Sequence, residues 1–69
     1  METRKFLSTD EKFRKTILDL VGVAYSTDEQ EEMDYFGGLA ADLLQVGEIE
    51  IELDTMGRYL CEHYEYYLQ

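Results

Sequence analysis

The stretch Glu48–Gln69, EIEIELDTMGRYLCEHYEYYLQ, constrains the fold of the whole chain, because two apolar periods compete within it. Its first six residues, Glu48-Ile49-Glu50-Ile51-Glu52-Leu53, alternate polar and apolar and include β-branched Ile, the pattern of a half-buried strand. Over the longer range, apolar residues recur at Ile49, Leu53, Met56, Leu60 and Tyr64, or run on from Leu60 to His63 and Tyr67. Spacings of three and four describe one face of an amphipathic helix. Asp54 followed by Thr55 would be a good cap for a helix beginning near residue 55. A strand at 48–53 would need a partner. Inside the chain the candidate is Arg4–Leu7; outside it, the same strand of a second copy.

The preceding chain reads as two helices. Ser8-Thr9-Asp10-Glu11 is a helix-start signal, with Ser8 and Glu11 at capping-box spacing and Thr9 as the competing cap. Phe13, Ile17, Leu20, Val21 and Ala24 then form an apolar stripe. Ser26-Thr27-Asp28-Glu29 repeats the signal, with Thr27 as the expected cap and Met33, Phe36, Leu39 or Ala40, and Leu43 as the stripe. Gly37-Gly38 interrupts it at a cost of about 2 kcal/mol relative to two alanines. The pair reads as a kink or break, or else Gly37, Ala40 and Ala41 make a flat face for a neighbouring helix. Gly47 is expected to close this helix in the left-handed conformation. The expected fold is therefore mainly α, a small three-helix domain with helices at about 9–24, 27–46 and 54–69. It carries a short strand or extended segment at 48–53, and residues 1–8 form a flexible arm. One domain spans residues 1–69.

A chain of 69 residues buries roughly 60% of the surface its unfolded form exposes, so its core is marginal. Chains of this size add disulfides, a metal or a second subunit. Cys61 is alone, which rules out an internal disulfide and fits a reducing cytoplasmic setting. Good helix packing or self-association remains as the route to stability, and a homodimer is expected. No apolar run has the length of a membrane span, and the N-terminal residues lack the core of a signal peptide.

Charge narrows the function. Sixteen acidic and six basic residues give a net charge of −10. The basics crowd at the start: residues 1–15 hold Arg4, Lys5, Lys12, Arg14 and Lys15 against three acids, whereas residues 16–69 hold Arg58 against thirteen. Direct nucleic-acid binding is disfavoured, since it depends on cations neutralising phosphates. A basic protein partner is favoured.

Catalytic chemistry has no foothold. Cys61 and His63 flank Glu62 on a helix, where close neighbours point apart and a nucleophile–base pair cannot readily form. The carboxylates of 28–34 lack a calcium-loop pattern, and neither zinc-finger spacing nor a phosphate-binding glycine loop is present. No enzyme activity, metal or other cofactor is expected.

What remains is a binding surface. In an extended segment Glu48, Glu50 and Glu52 share one face at intervals of about 6.6 Å, two residues of strand rise and comparable to phosphate spacing along a nucleic-acid strand. Asp28, Glu31, Glu32, Asp54 and Glu62 extend the acidic surface. Tyr59 and Tyr66, seven residues apart, are the expected exposed anchors, with Tyr64 and Tyr67 in the core. In size, charge and lack of catalytic groups, the chain is similar to small acidic proteins of phages and mobile elements, some of which occupy the nucleic-acid site of a host protein. That resemblance implies an inhibitor or DNA mimic bound to a basic, nucleic-acid-binding protein. The alternative is a helical homodimer of purely structural role, its acidic face serving solubility.

Overall fold

The computed structural model describes residues 2–69 and has the order β1 (Thr3–Leu7), α1 (Glu11–Thr27), α2 (Gln30–Asp42), β2 (Glu48–Glu52) and α3 (Thr55–Leu68). The fold is mainly α, with three helices and one short two-stranded sheet. Met1, placed by the sequence reading in the N-terminal arm, lies outside the described residues.

The period-two pattern prevails at 48–52, because β1 supplies a partner. β1 and β2 pair antiparallel, with Phe6 opposite Ile49, Lys5 opposite Glu50 and Thr3 opposite Glu52. The expected flexible arm is thus largely a strand. Two bonds extend the pairing beyond its ends: Leu53 N–H donates to the Glu2 carbonyl at 2.9 Å, and Ser8 N–H to the Gly47 carbonyl at 3.1 Å. Gly47 is not left-handed, since no described glycine has positive φ; its role is to accept from Ser8.

The inner face of the sheet offers Phe6, Ile49 and Ile51 to the helices, and all three are buried. The Phe6 ring stacks on Phe13 of α1 at 4.4 Å between centroids and meets the edge of Tyr64 of α3 at 5.0 Å. Ile17, Leu20, Phe36 and Leu60 complete the core, and Leu43 closes it below the end of α2. Thr16, absent from the expected stripe, is fully buried; its hydroxyl donates to the Lys12 carbonyl at 2.7 Å, which satisfies it inside the helix.

Helix boundaries depart from expectation where capping is concerned. α1 starts at Glu11 instead of residue 9, because Asp10, rather than Ser8 or Thr9, accepts from the N–H groups of Lys12 and Phe13 at 2.9 and 3.3 Å. The helix runs on to Thr27, whose hydroxyl donates back to the Val23 carbonyl at 2.9 Å instead of capping α2. α2 begins at Gln30 without a side-chain cap and ends at Asp42, not 46. It passes through Gly37 and Gly38 without a break, and a Cβ at either would meet nothing within 4 Å, so neither glycine serves a close helix contact inside the fold. Gly57 is different. A Cβ there would run into the carbonyl oxygen of Glu52, so glycine is what lets α3 pack directly beneath β2.

Candidate interaction surface

Pairing with β1 fixes which way each β2 side chain points. Ile49 and Ile51 go inward, so Glu48, Glu50 and Glu52 all stand exposed on the outer face of one strand. The strand is held from behind by the Gly57 contact and at both ends by the two backbone bonds described above. Its carboxylates therefore sit on a frame that costs little further ordering to use. Lys5 shares this face and approaches Glu48 at 3.5 Å, with both side chains more than half exposed. An exposed pair of this kind contributes about 0–1 kcal/mol and is screened by salt. It removes one charge from the row and leaves Glu50 and Glu52 unneutralised by it. Lys5 as a cross-strand neighbour was not foreseen from sequence, because no local signal encodes the register between residues 5 and 50.

The other expected contact residues are distributed elsewhere. Asp54 caps α3, its carboxylate accepting from Gly57 N–H at 2.9 Å, so that group already serves the fold. Glu62 and Tyr66 lie one turn apart on α3 and, with His63 and Tyr67, line a shallow depression of about 300 Å³. Tyr66 is 74% exposed. Tyr59, expected to be exposed, is half-buried, with its ring 6.1 Å from Phe36 and 4.5 Å from His63. Tyr67, expected in the core, is also only half-buried, and Lys15 Nζ lies 5.6 Å from its ring centroid. Asp28, Glu31 and Glu32 occupy the corner between α1 and α2, where Glu32 is half-buried and the other two are exposed. Thus Glu48, Glu50 and Glu52 form one face, Glu62 and Tyr66 another, and the residues at 28–32 belong to a third region.

Several polar groups elsewhere tie the elements of the fold together. The Tyr64 hydroxyl donates to Asp10 Oδ2 at 2.6 Å, tying the end of α3 to the cap of α1. That bond, helped by the N–H groups of Phe13 and Lys12, holds the Asp10 carboxyl below its ordinary range; the same bond, with burial, raises the Tyr64 phenol. The Arg4 guanidinium lies 4.9 and 5.3 Å from the ring centroids of Phe6 and Tyr64, and pairs with Glu65 at 2.9 Å. His63 Nδ1 is 3.1 Å from the Tyr59 carbonyl, one turn back in its own helix, so the ring is engaged by its helix. Among the described residues, no group of three or more His, Cys, Asp or Glu is placed to hold a metal ion. No helix among them is long and apolar enough to cross a membrane.

No protein-family model, characterised protein or solved structure matches this chain.

Proposed function

We propose that this protein is an acidic binding module that acts by occupying the nucleic-acid site of a basic partner protein, as an inhibitor or DNA mimic working in the cytoplasm. The observation that supports this reading best is the row Glu48, Glu50 and Glu52, three exposed carboxylates on one side of a strand whose other side is buried. Their spacing of about 6.6 Å suits a surface that expects phosphates. The net charge of −10 adds a long-range field that speeds encounter with a cationic partner. Glu62 and Tyr66, on the outer side of α3, are a second contact patch in which the phenol ring can stack on Arg or Lys. The module acts by binding and not by catalysis.

The test is capture at low salt with the immobilised protein, followed by separate elution with a salt gradient and with duplex DNA. A basic protein released by DNA is expected. The variant E48K/E50K/E52K should lose it while keeping the far-UV circular dichroism of the native fold, because all three side chains point away from the core. Undiminished capture by the folded triple variant would overturn the assignment of this face.

A further inference from the structure

The sheet has two strands, so β2 is paired on one side only. In an antiparallel ladder, residue pairs that exchange hydrogen bonds alternate with pairs that do not. The bonds from Leu53 N–H to Glu2 and from Ser8 N–H to Gly47 put Ile51 with Arg4, and Ile49 with Phe6, in the bonded set. The backbone N–H and C=O groups of Glu48, Glu50 and Glu52 therefore point away from β1. The Glu52 carbonyl is met there by α3 at Gly57. Among the described residues, Glu48 and Glu50 have no backbone partner outside the ladder, and both are exposed.

Unpaired backbone groups along an exposed edge are a template for a further strand. Charge decides which strand fits. Antiparallel pairing of β2 with its own copy about Glu50 would set Glu50 against Glu50 and Glu48 against Glu52, and like charges directly opposite one another are destabilising. The β1 strand of a second copy offers Lys5 alone on its outer face, between Thr3 and Leu7, and that lysine already lies 3.5 Å from Glu48 of its own chain. Pairing of β1 on β2 from copy to copy is also head-to-tail and need not close. A strand with a cation at every second position meets neither obstacle. Each residue directly opposite a glutamate has its side chain on the same outer face, with about 5 Å between Cβ atoms.

We infer that the basic partner grips this protein by strand addition: an extended segment with Lys or Arg at alternate positions lies antiparallel along the open edge of β2. The inference rests on the reading of Glu48, Glu50 and Glu52 as the contact for a basic protein, and adds how the contact is made. Backbone bonds to Glu48 and Glu50 supply affinity and register, and the cross-strand charge pairs supply selectivity. The start of α3 closes the edge at the Glu52 carbonyl. Strands are among the elements that proteins lay into nucleic-acid grooves, so a segment of this kind suits the partner's own site.

Two blocked peptides of equal composition test it, one alternating lysine with threonine and the other with its lysines in one run. Amide exchange with water is followed by NMR on the full chain. At about ten times its Kd, the alternating peptide should slow exchange at the Glu48 and Glu50 amides about tenfold, since exchange then waits for the strand to leave. Methylating those peptide nitrogens that face the edge should weaken binding by about tenfold, two backbone bonds being lost. If both peptides bind equally well and neither amide is protected, the glutamates act through their side chains alone: strand addition is overturned and the acidic contact stands. If neither peptide binds, both readings fall. Protection of the Glu50 amide that appears without peptide, on raising protein concentration, gives the edge to a second copy and overturns the inference as well.

Discussion

The tetrapeptide Ser-Thr-Asp-Glu occurs twice, at 8–11 and at 26–29, and the two copies do opposite things. In the first, Asp10 is extended (φ −69°, ψ 111°) and opens α1 by accepting two backbone N–H groups. In the second, Thr27 is the last residue of α1, Asp28 turns left-handed (φ 56°, ψ 39°), and its N–H donates to the Ala24 carbonyl. The same residues begin one helix and end another. What precedes them decides which. The first copy follows a strand, so the chain arrives extended and the carboxylate is free to cap. The second follows an apolar-periodic helix whose hydrogen bonds propagate until something stops them. Tertiary structure then reinforces the difference, since Asp10 has Tyr64 as a partner 54 positions away and Asp28 is exposed.

The third helix start sharpens this comparison and carries the largest expected effect. Asp54 caps α3 as Asp10 caps α1, but the N–H it accepts belongs to Gly57, pressed against β2. Gly57→Ala must push α3 off the Glu52 carbonyl, and a loss of about 3 kcal/mol is expected by urea denaturation. The same change at Gly37, which faces open space, should instead gain about 1 kcal/mol. Equal losses at both sites would mean that α3 does not lie against the strand.

Asp10→Ala comes next, with an expected loss of about 2 kcal/mol, from the cap and from the stranded Tyr64 hydroxyl together. Its pH dependence has a definite sign. A carboxyl held below its ordinary value stabilises the fold above about pH 4, and that contribution fades as pH falls through the depressed folded value. The stability gap between wild type and Asp10→Asn should therefore narrow below about pH 4. Tyr64→Phe should make that narrowing smaller and complete it at higher pH, because the hydroxyl is the largest cause of the depression. Urea midpoints across this range, taken as differences between variants, cancel the relief of self-repulsion that acid brings to every form of so acidic a chain.

The legible parts of the fold were those set by local periodicity. Phe13, Ile17, Leu20 and Ala24 advertise one helix face within a few residues, whereas the Ile49–Ile51 alternation competed with a helical period and is a strand in the fold because β1 pairs with it. Pairing of Arg4–Leu7 with that strand was a candidate and no more, since the register depends on helices that bring residue 4 back to residue 51. Tyr59 and Tyr67 exchange no local signal for burial. Phe36 comes across from α2 to cover Tyr59, and no such cover reaches Tyr66. The acidic surface divides the same way. Glu48, Glu50 and Glu52 were placed together by strand geometry, whereas their separation from Asp28 and Glu31 is a matter of how α2 packs on α1.

The smallest effect tests the comparison most directly, because it puts one substitution at both copies of the motif. Asp28→Gly relieves a left-handed residue of its Cβ, at some cost in unfolded-state entropy, and a net gain of about 0.5 kcal/mol is expected. Asp10→Gly should lose about 1 kcal/mol: glycine is a tolerable N-cap, but it offers Tyr64 no acceptor. Opposite signs from the same change, read as shifts in urea midpoint at constant slope, are what two different roles require. If both substitutions destabilise, Asp28 is doing more than turning the chain, and its carboxylate would have to be counted among the groups that hold the start of α2.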